Sequence, residues 1–111
     1  LQLDYLRHTV EAIEGGSGRA EIEQLVAAWE RGDAAAMERF LEEMARSDRA
    51  AQRFVAERVI RGRHPKMVGA IENYAASGRL HLVVIGALHY FGPDGLLQML
   101  RARGYSVRRL S

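Results

Sequence analysis

From residue 2 to residue 79, apolar residues recur at the spacing of one helix face. Leu3, Leu6, Val10 and Ile13 predict an amphipathic helix over roughly residues 2 to 14. Gly15-Gly16-Ser17-Gly18 breaks it, and Ile22, Leu25, Val26 and Trp29 mark one face of a second helix. Gly32 suits the C-terminal cap of that helix, and Asp33 the N-cap of a third, whose inward stripe is Met37, Phe40, Leu41 and Met44. Ser47 or Asp48 can cap a fourth helix, with Ala51, Phe54, Val55 and Val59 inward and Gly62 at its end. Arg63-His64-Pro65 turns the chain. Pro65 then opens a fifth helix carrying Val68, Ile71, Tyr74 and Ala75, closed by Gly78.

The pattern changes at residue 80. Leu82-Val83-Val84-Ile85 is an unbroken, partly β-branched apolar run, which predicts a strand covered on both faces over 81–86. Gly86 ends it and allows a backbone geometry or close approach that a side chain would block. Pro93 suits a first helical position, and Asp94 beside it favours the positive end of the helix dipole. A helix over 94–103, Gly104 and a second strand over 105–110 complete the expectation. A strand, helix and strand of this size read as a right-handed parallel crossover. The expected fold class is therefore α/β but mainly helical. About five helices in residues 1–79 precede a C-terminal βαβ unit in residues 80–111, within a single domain or fragment. Two strands make a poor sheet by themselves. The unit is expected to belong to a larger sheet, completed by a homo-oligomer or by a missing N-terminal half.

Composition narrows the function classes. Apolar residues at 48% and charged residues at 27% are ordinary for a globular chain of 111 residues. There is no cysteine, so neither disulfides nor a thiolate metal site is possible. No apolar run approaches a membrane span. Net charge is +2, with acidic and basic residues mixed along the helices. Arg101, Arg103, Arg108 and Arg109 crowd the C-terminus without interleaved aromatics, which reads as a solvated surface and not a nucleic-acid site. The chain starts at Leu1, which suggests a processed product or a fragment.

Candidate chemistry rests on histidine. No Ser/His/Asp order, His-Glu-x-x-His or glycine-rich nucleotide loop occurs. His89 lies just beyond the carboxyl end of the expected strand, where ligands gather in open α/β sheets. The plainer alternative is a turn residue or a satisfied polar group. His8 falls on an exposed helix face, and His81 lies at the opposite end of the strand from His89, so those two cannot ligate one ion. His64, in the turn before the fifth helix, can reach a site or merely cap. Neutral imidazole is a common ligand for divalent metals, yet a catalytic zinc centre takes about three protein ligands. Glu57 and Glu72 have no special spacing to His89 and read as solvated.

Gly86-Ala-Leu-His89, then Phe91-Gly92, Gly95-Leu96-Leu97, Leu100 and Gly104-Tyr105-Ser106-Val107, resembles the C-terminal signature of the TraB/GumN family, which includes the Tiki-type membrane proteases. Trp29-Glu30-Arg31-Gly32-Asp33 is similar to a Trp-x-x-Gly-Asp segment of its helical middle. Arg63-His64-Pro65-Lys66-Met67 resembles an Arg-Asn-x-x-Met segment, with His64 in place of asparagine. The resemblance implies a metal-dependent hydrolase of peptidase type, built around two Gly-x-x-His motifs, an acidic residue and a divalent metal ion. His89 is carried over as a catalytic and metal-binding residue, with Gly86 shaping its turn; Arg63, which matches a family arginine, is the second catalytic candidate, with an ion pair or a helix cap as its plainer role. The alternative is a non-catalytic helical module that sequesters a peptide or small ligand, as the pheromone-shutdown members do. A periplasmic or cell-envelope location is implied in the same way.

Overall fold

A computed structural model describes residues 1–110, and the chain divides into two compact units, Leu1–Glu57 and the residues from Arg58 onward. The first unit holds α1 (Gln2–Gly15), α2 (Ser17–Glu30), α3 (Ala34–Ala45) and α4 (Ala50–Phe54). Gly16 has φ 77°, a left-handed conformation open to glycine, and reverses the chain between α1 and α2 within one residue. Gly32 does the same after α2, with φ 68°. Asp33 then accepts the Ala36 N–H at 2.9 Å and starts α3. These breaks lie where the sequence predicts them. Helix α1 packs against α2 and α4, and α3 against α2 and α4. Ala28, Met37, Leu41 and Ala51 are buried.

The inward faces differ from the expected ones. Leu3, Leu6, Val10 and Ile13 are exposed, and α1 has no fully buried residue. The opposite face of α1 is turned to α4 by polar bonds. Asp4 accepts the Ala51 N–H at 3.1 Å and so caps α4 across a separation of 47 residues. His8 meets Arg49 at 2.9 Å and Gln52 at 3.3 Å, and Arg49 donates to Glu11 at 3.3 Å. Asp4, His8 and Glu11 share a helix face at i, i+4 and i+7 spacing. Unsatisfied helix-terminal N–H groups are costly, and their partners set the rotation of α1.

After Phe54 the helix widens into a π turn over Val55–Ile60, then tightens to a 3-10 turn over Arg61–Arg63. A π turn shifts the inward face, because hydrogen bonds span five residues instead of four. Ala56 and Ile60 are buried, whereas the expected Phe54 and Val59 are exposed. In the second unit, α5 (His64–Ala76) carries Pro65 in its first turn and packs on α6 (Leu96–Ala102). Val68 and Leu96 are buried there, and Arg103 pairs with Glu72.

The C-terminal βαβ unit is absent. Residues 81–86 and 105–110 run without secondary structure, and the described residues contain no strand, so the fold is helical and not α/β. A strand exists only in a ladder of hydrogen bonds with a neighbour, and neither segment has one. Leu82 is 91% exposed and Val84 85% exposed, so the apolar run lacks the cover that its composition anticipates. Pro93 and Asp94 stay in the preceding loop, because α6 begins only at Leu96 with Gly95 as its N-cap. No helix among the described residues is long and apolar enough to cross a membrane.

Candidate functional site

Two histidines, 25 residues apart in sequence, meet in the second unit. His64 is the first residue of α5 and is 1% exposed. His89 closes a 3-10 turn, Ala87–His89, and is half-buried. The turn is fastened by the His89 N–H donated to the Gly86 carbonyl at 3.1 Å. The rings stand edge to face, 5.2 Å between centroids and 78° between planes. His64 Nε2 lies 3.1 Å from His89 Nδ1, and His64 Nδ1 lies 2.6 Å from the Asp94 carbonyl oxygen. Both nitrogens of the buried ring therefore have partners, as burial demands.

Burial pushes the His89 imidazole below its ordinary pKa of 6.5, and the His64 ring and the Arg63 charge push the same way. The Ile60 carbonyl opposes them by accepting from the protonated ring. Burial dominates, because the positive form loses more solvation than a single carbonyl returns. The result favours the neutral imidazole at neutral pH, the form that binds metal or accepts a proton.

The glycine that shapes this loop is Gly95. A Cβ there would collide with the Phe91 carbonyl oxygen, a contact the backbone cannot accommodate. At Gly86 a Cβ would meet only His89 Cδ2, at an ordinary 3.6 Å, and φ −56° with ψ 140° is open to any residue. The expectation that Gly86 is required for a close approach is thus corrected. Gly95 also donates its N–H to the Gly92 carbonyl at 3.0 Å, which holds the Asp94 carbonyl toward His64.

The other candidates have surroundings of their own. Arg63 occupies the N-cap position of α5 without a side-chain capping bond, and its charge acts on His89. His81 stacks on Tyr74, 5.0 Å between centroids, with Nδ1 near the Arg79 carbonyl. His8 belongs to the α1–α4 network of the first unit, where Arg49 and Gln52 contact it. Glu72 pairs with Arg103, and Glu57 is exposed in the π turn. His64 is the residue that sequence spacing left open between site and cap. Its signal was its place directly before a helix-opening proline; its partner across 25 residues had none.

The second geometric feature is a cleft of 990 Å³ within residues 1–57. Ile13, Ile22, Phe40, Met44 and Val55 line it, with His8 and Arg19 adding polar groups. Neither His64 nor His89 lines it.

No curated protein and no solved structure matches this chain. The family model described as TraB/PrgY/gumN matches residues 1–109, from α1 through the segment after α6. With nearly its whole length matched, this chain belongs to the TraB/PrgY/gumN family.

Proposed function

We propose that this chain is the C-terminal portion of a metal-dependent hydrolase of peptidase type, acting in the periplasm or cell envelope, to which it contributes His89. The observation that carries the proposal is a half-buried His89 biased toward neutral imidazole and held against the buried His64. Family membership and the resemblance to Tiki-type proteases supply the reaction class. The donor set falls short of a centre. Among the described residues, no group of three or more His, Asp or Glu side chains is arranged to hold a metal. A catalytic zinc ion takes about three protein ligands and keeps one position open. The described residues do not bring that set together, so this reading requires ligands in addition to His89. Zinc titrated into the 111-residue chain should bind weakly and lose its site in His89→Ala, with peptide turnover at background. Binding indifferent to His89→Ala would sink the role of His89. Metal-dependent turnover by the chain alone, lost in His89→Ala, would show that no further ligand is needed.

The cleft in residues 1–57 favours a second reading, a helical module that sequesters a peptide or small ligand. Its volume is comparable to ligand pockets, which run from roughly 300 to 1,000 Å³. A short apolar peptide should shift the methyl resonances of Ile13, Met44 and Val55, and Met44→Asp should abolish the response. Shifts confined to residues outside the cleft would dispose of this reading.

A further inference from the structure

We infer that His64 is a positioning residue for His89: it places the His89 proton on Nδ1 and so leaves the lone pair on Nε2. The chain of contacts begins at a group with only one possible role. The Asp94 carbonyl oxygen can accept a hydrogen bond but cannot donate one, so His64 Nδ1, 2.6 Å away, carries a proton. In its neutral form His64 then has its lone pair on Nε2. That nitrogen lies 3.1 Å from His89 Nδ1 and needs a donor there. The donor is the His89 Nδ1–H, and neutral His89 keeps its lone pair on Nε2. Were the His89 proton on Nε2 instead, two lone pairs would face each other across 3.1 Å inside a buried contact. The Ile60 carbonyl is a further acceptor that favours the protonated form of the ring; the contact that separates the two neutral tautomers is the one with His64.

The arrangement is built and not incidental. His64 is a polar side chain buried to 1% exposure at the head of α5, a costly placement unless both nitrogens are used. Its anchor, the Asp94 carbonyl, sits in a loop fixed by the Gly95 N–H bond to Gly92 and by the backbone approach of Gly95 to Phe91. Histidines that bind metals or move protons commonly donate their other ring N–H to a fixed acceptor, which sets tautomer and aim. Here the acceptor is a second histidine, itself set by a main-chain carbonyl. The functional consequence rests on the reading of His89 as the site residue; the tautomer does not.

Long-range proton–nitrogen correlation spectra of the ¹⁵N-labelled, metal-free 111-residue chain test this, recorded where both rings are neutral. A pyrrole-like Nδ1 and a pyridine-like Nε2 on both His64 and His89 are expected. In His64→Gln, whose side-chain carbonyl can accept at the position of Nε2, the His89 pattern should persist. In His64→Leu it should move toward the Nε2–H form while backbone amide signals remain dispersed. A wild-type His89 with its proton on Nε2 overturns the inference without any variant, as does an unchanged pattern in folded His64→Leu. Zinc titration separates this inference from the proposed function. If both hold, His64→Leu weakens zinc binding by about 10- to 100-fold, the usual cost of losing an orienting partner, while His89→Ala abolishes it. If zinc binds nowhere, the reading of His89 fails and the tautomer result still establishes the role of His64. If zinc perturbs His89 Nδ1, and loss of His64 abolishes binding as fully as loss of His89, then His64 is itself a ligand and the positioning role is refuted.

Discussion

Gly95 and Gly86 flank the histidine turn, and the backbone treats them differently. A methyl group at Gly95 would collide with the Phe91 carbonyl, and relief requires moving the loop that carries Asp94. Forced repacking of this kind costs about 1–3 kcal/mol, so Gly95→Ala should lower the urea midpoint of the second unit markedly. Gly86→Ala meets no such barrier and should fall within about 1 kcal/mol of the parent, on the stabilising side if reduced freedom of the unfolded chain dominates. Equal effects at the two sites would contradict the geometry. Asp33 gives a prediction in pH. Its carboxyl is held below the ordinary 3.8 by the Ala36 N–H first, and by the bond to and charge of Arg31. A lowered folded pKa means the unfolded chain protonates first. The stabilisation is therefore present above 3.8 and is lost as pH falls from there through the folded value. Asp33→Asn keeps a capping side chain and should show a flatter melting temperature over that window; parallel curves would exclude the effect. Asp33 was legible because a cap is local. His89 was singled out by its place after an apolar run. The burial of His64 was not, since it depends on a carbonyl 30 residues away.

At the scale of elements, two apolar segments of similar composition have opposite energetic weight. Leu96 at the head of α6 is 1% exposed, whereas Leu82 in the apolar run 82–85 is 91% exposed. Leu96→Ala should cost about 2–5 kcal/mol through lost burial and the cavity left behind. Leu82→Ser should stay within about 0.5 kcal/mol when measured at low protein concentration. Chemical denaturation followed by circular dichroism distinguishes them, and a large loss at Leu82 would mean that the run is covered in solution. Helix starts and stops were largely readable, because Gly16, Gly32 and Asp33 act through their own backbone geometry or hydrogen bonds. Helix rotation was less so. The apolar stripe of α1 pointed inward on paper, yet Asp4, His8 and Glu11 bring the other face to α4. The π turn at Val55–Ile60 moved burial from Phe54 and Val59 to Ala56 and Ile60, a shift that a fixed 3.6-residue period cannot anticipate. Residues 81–86 and 105–110 were expected as strands and are not, because apolar, β-branched composition does not create a sheet without a second edge.

For the whole molecule, the balance of apolar surface points to association. Leu3, Leu6, Ile13 and Ile22 are exposed in the first unit, and Leu80, Leu82, Val84 and Leu110 in the second. Single exposed leucines are ordinary, whereas runs of them mark surfaces that are covered in the working assembly. The segment 82–86 contains no charged residue and no proline, so nothing along it opposes burial against a second copy. A net charge of only +2 adds little repulsion between copies. We predict that the 111-residue chain self-associates at micromolar concentration, with the exposed apolar residues Leu82 and Val84 covered in the assembly. Sedimentation equilibrium should show a mass above 12.4 kDa that rises with concentration. The double variant Leu82→Lys, Val84→Lys should return the chain to a monomer without changing its helical content, because both side chains are exposed in the isolated fold. Hydrogen exchange at the amides of 82–85 should be slow in the associated parent and fast in that variant. A parent that remains monomeric at high micromolar concentration, with fast exchange along the run, would show that these residues stay uncovered in solution.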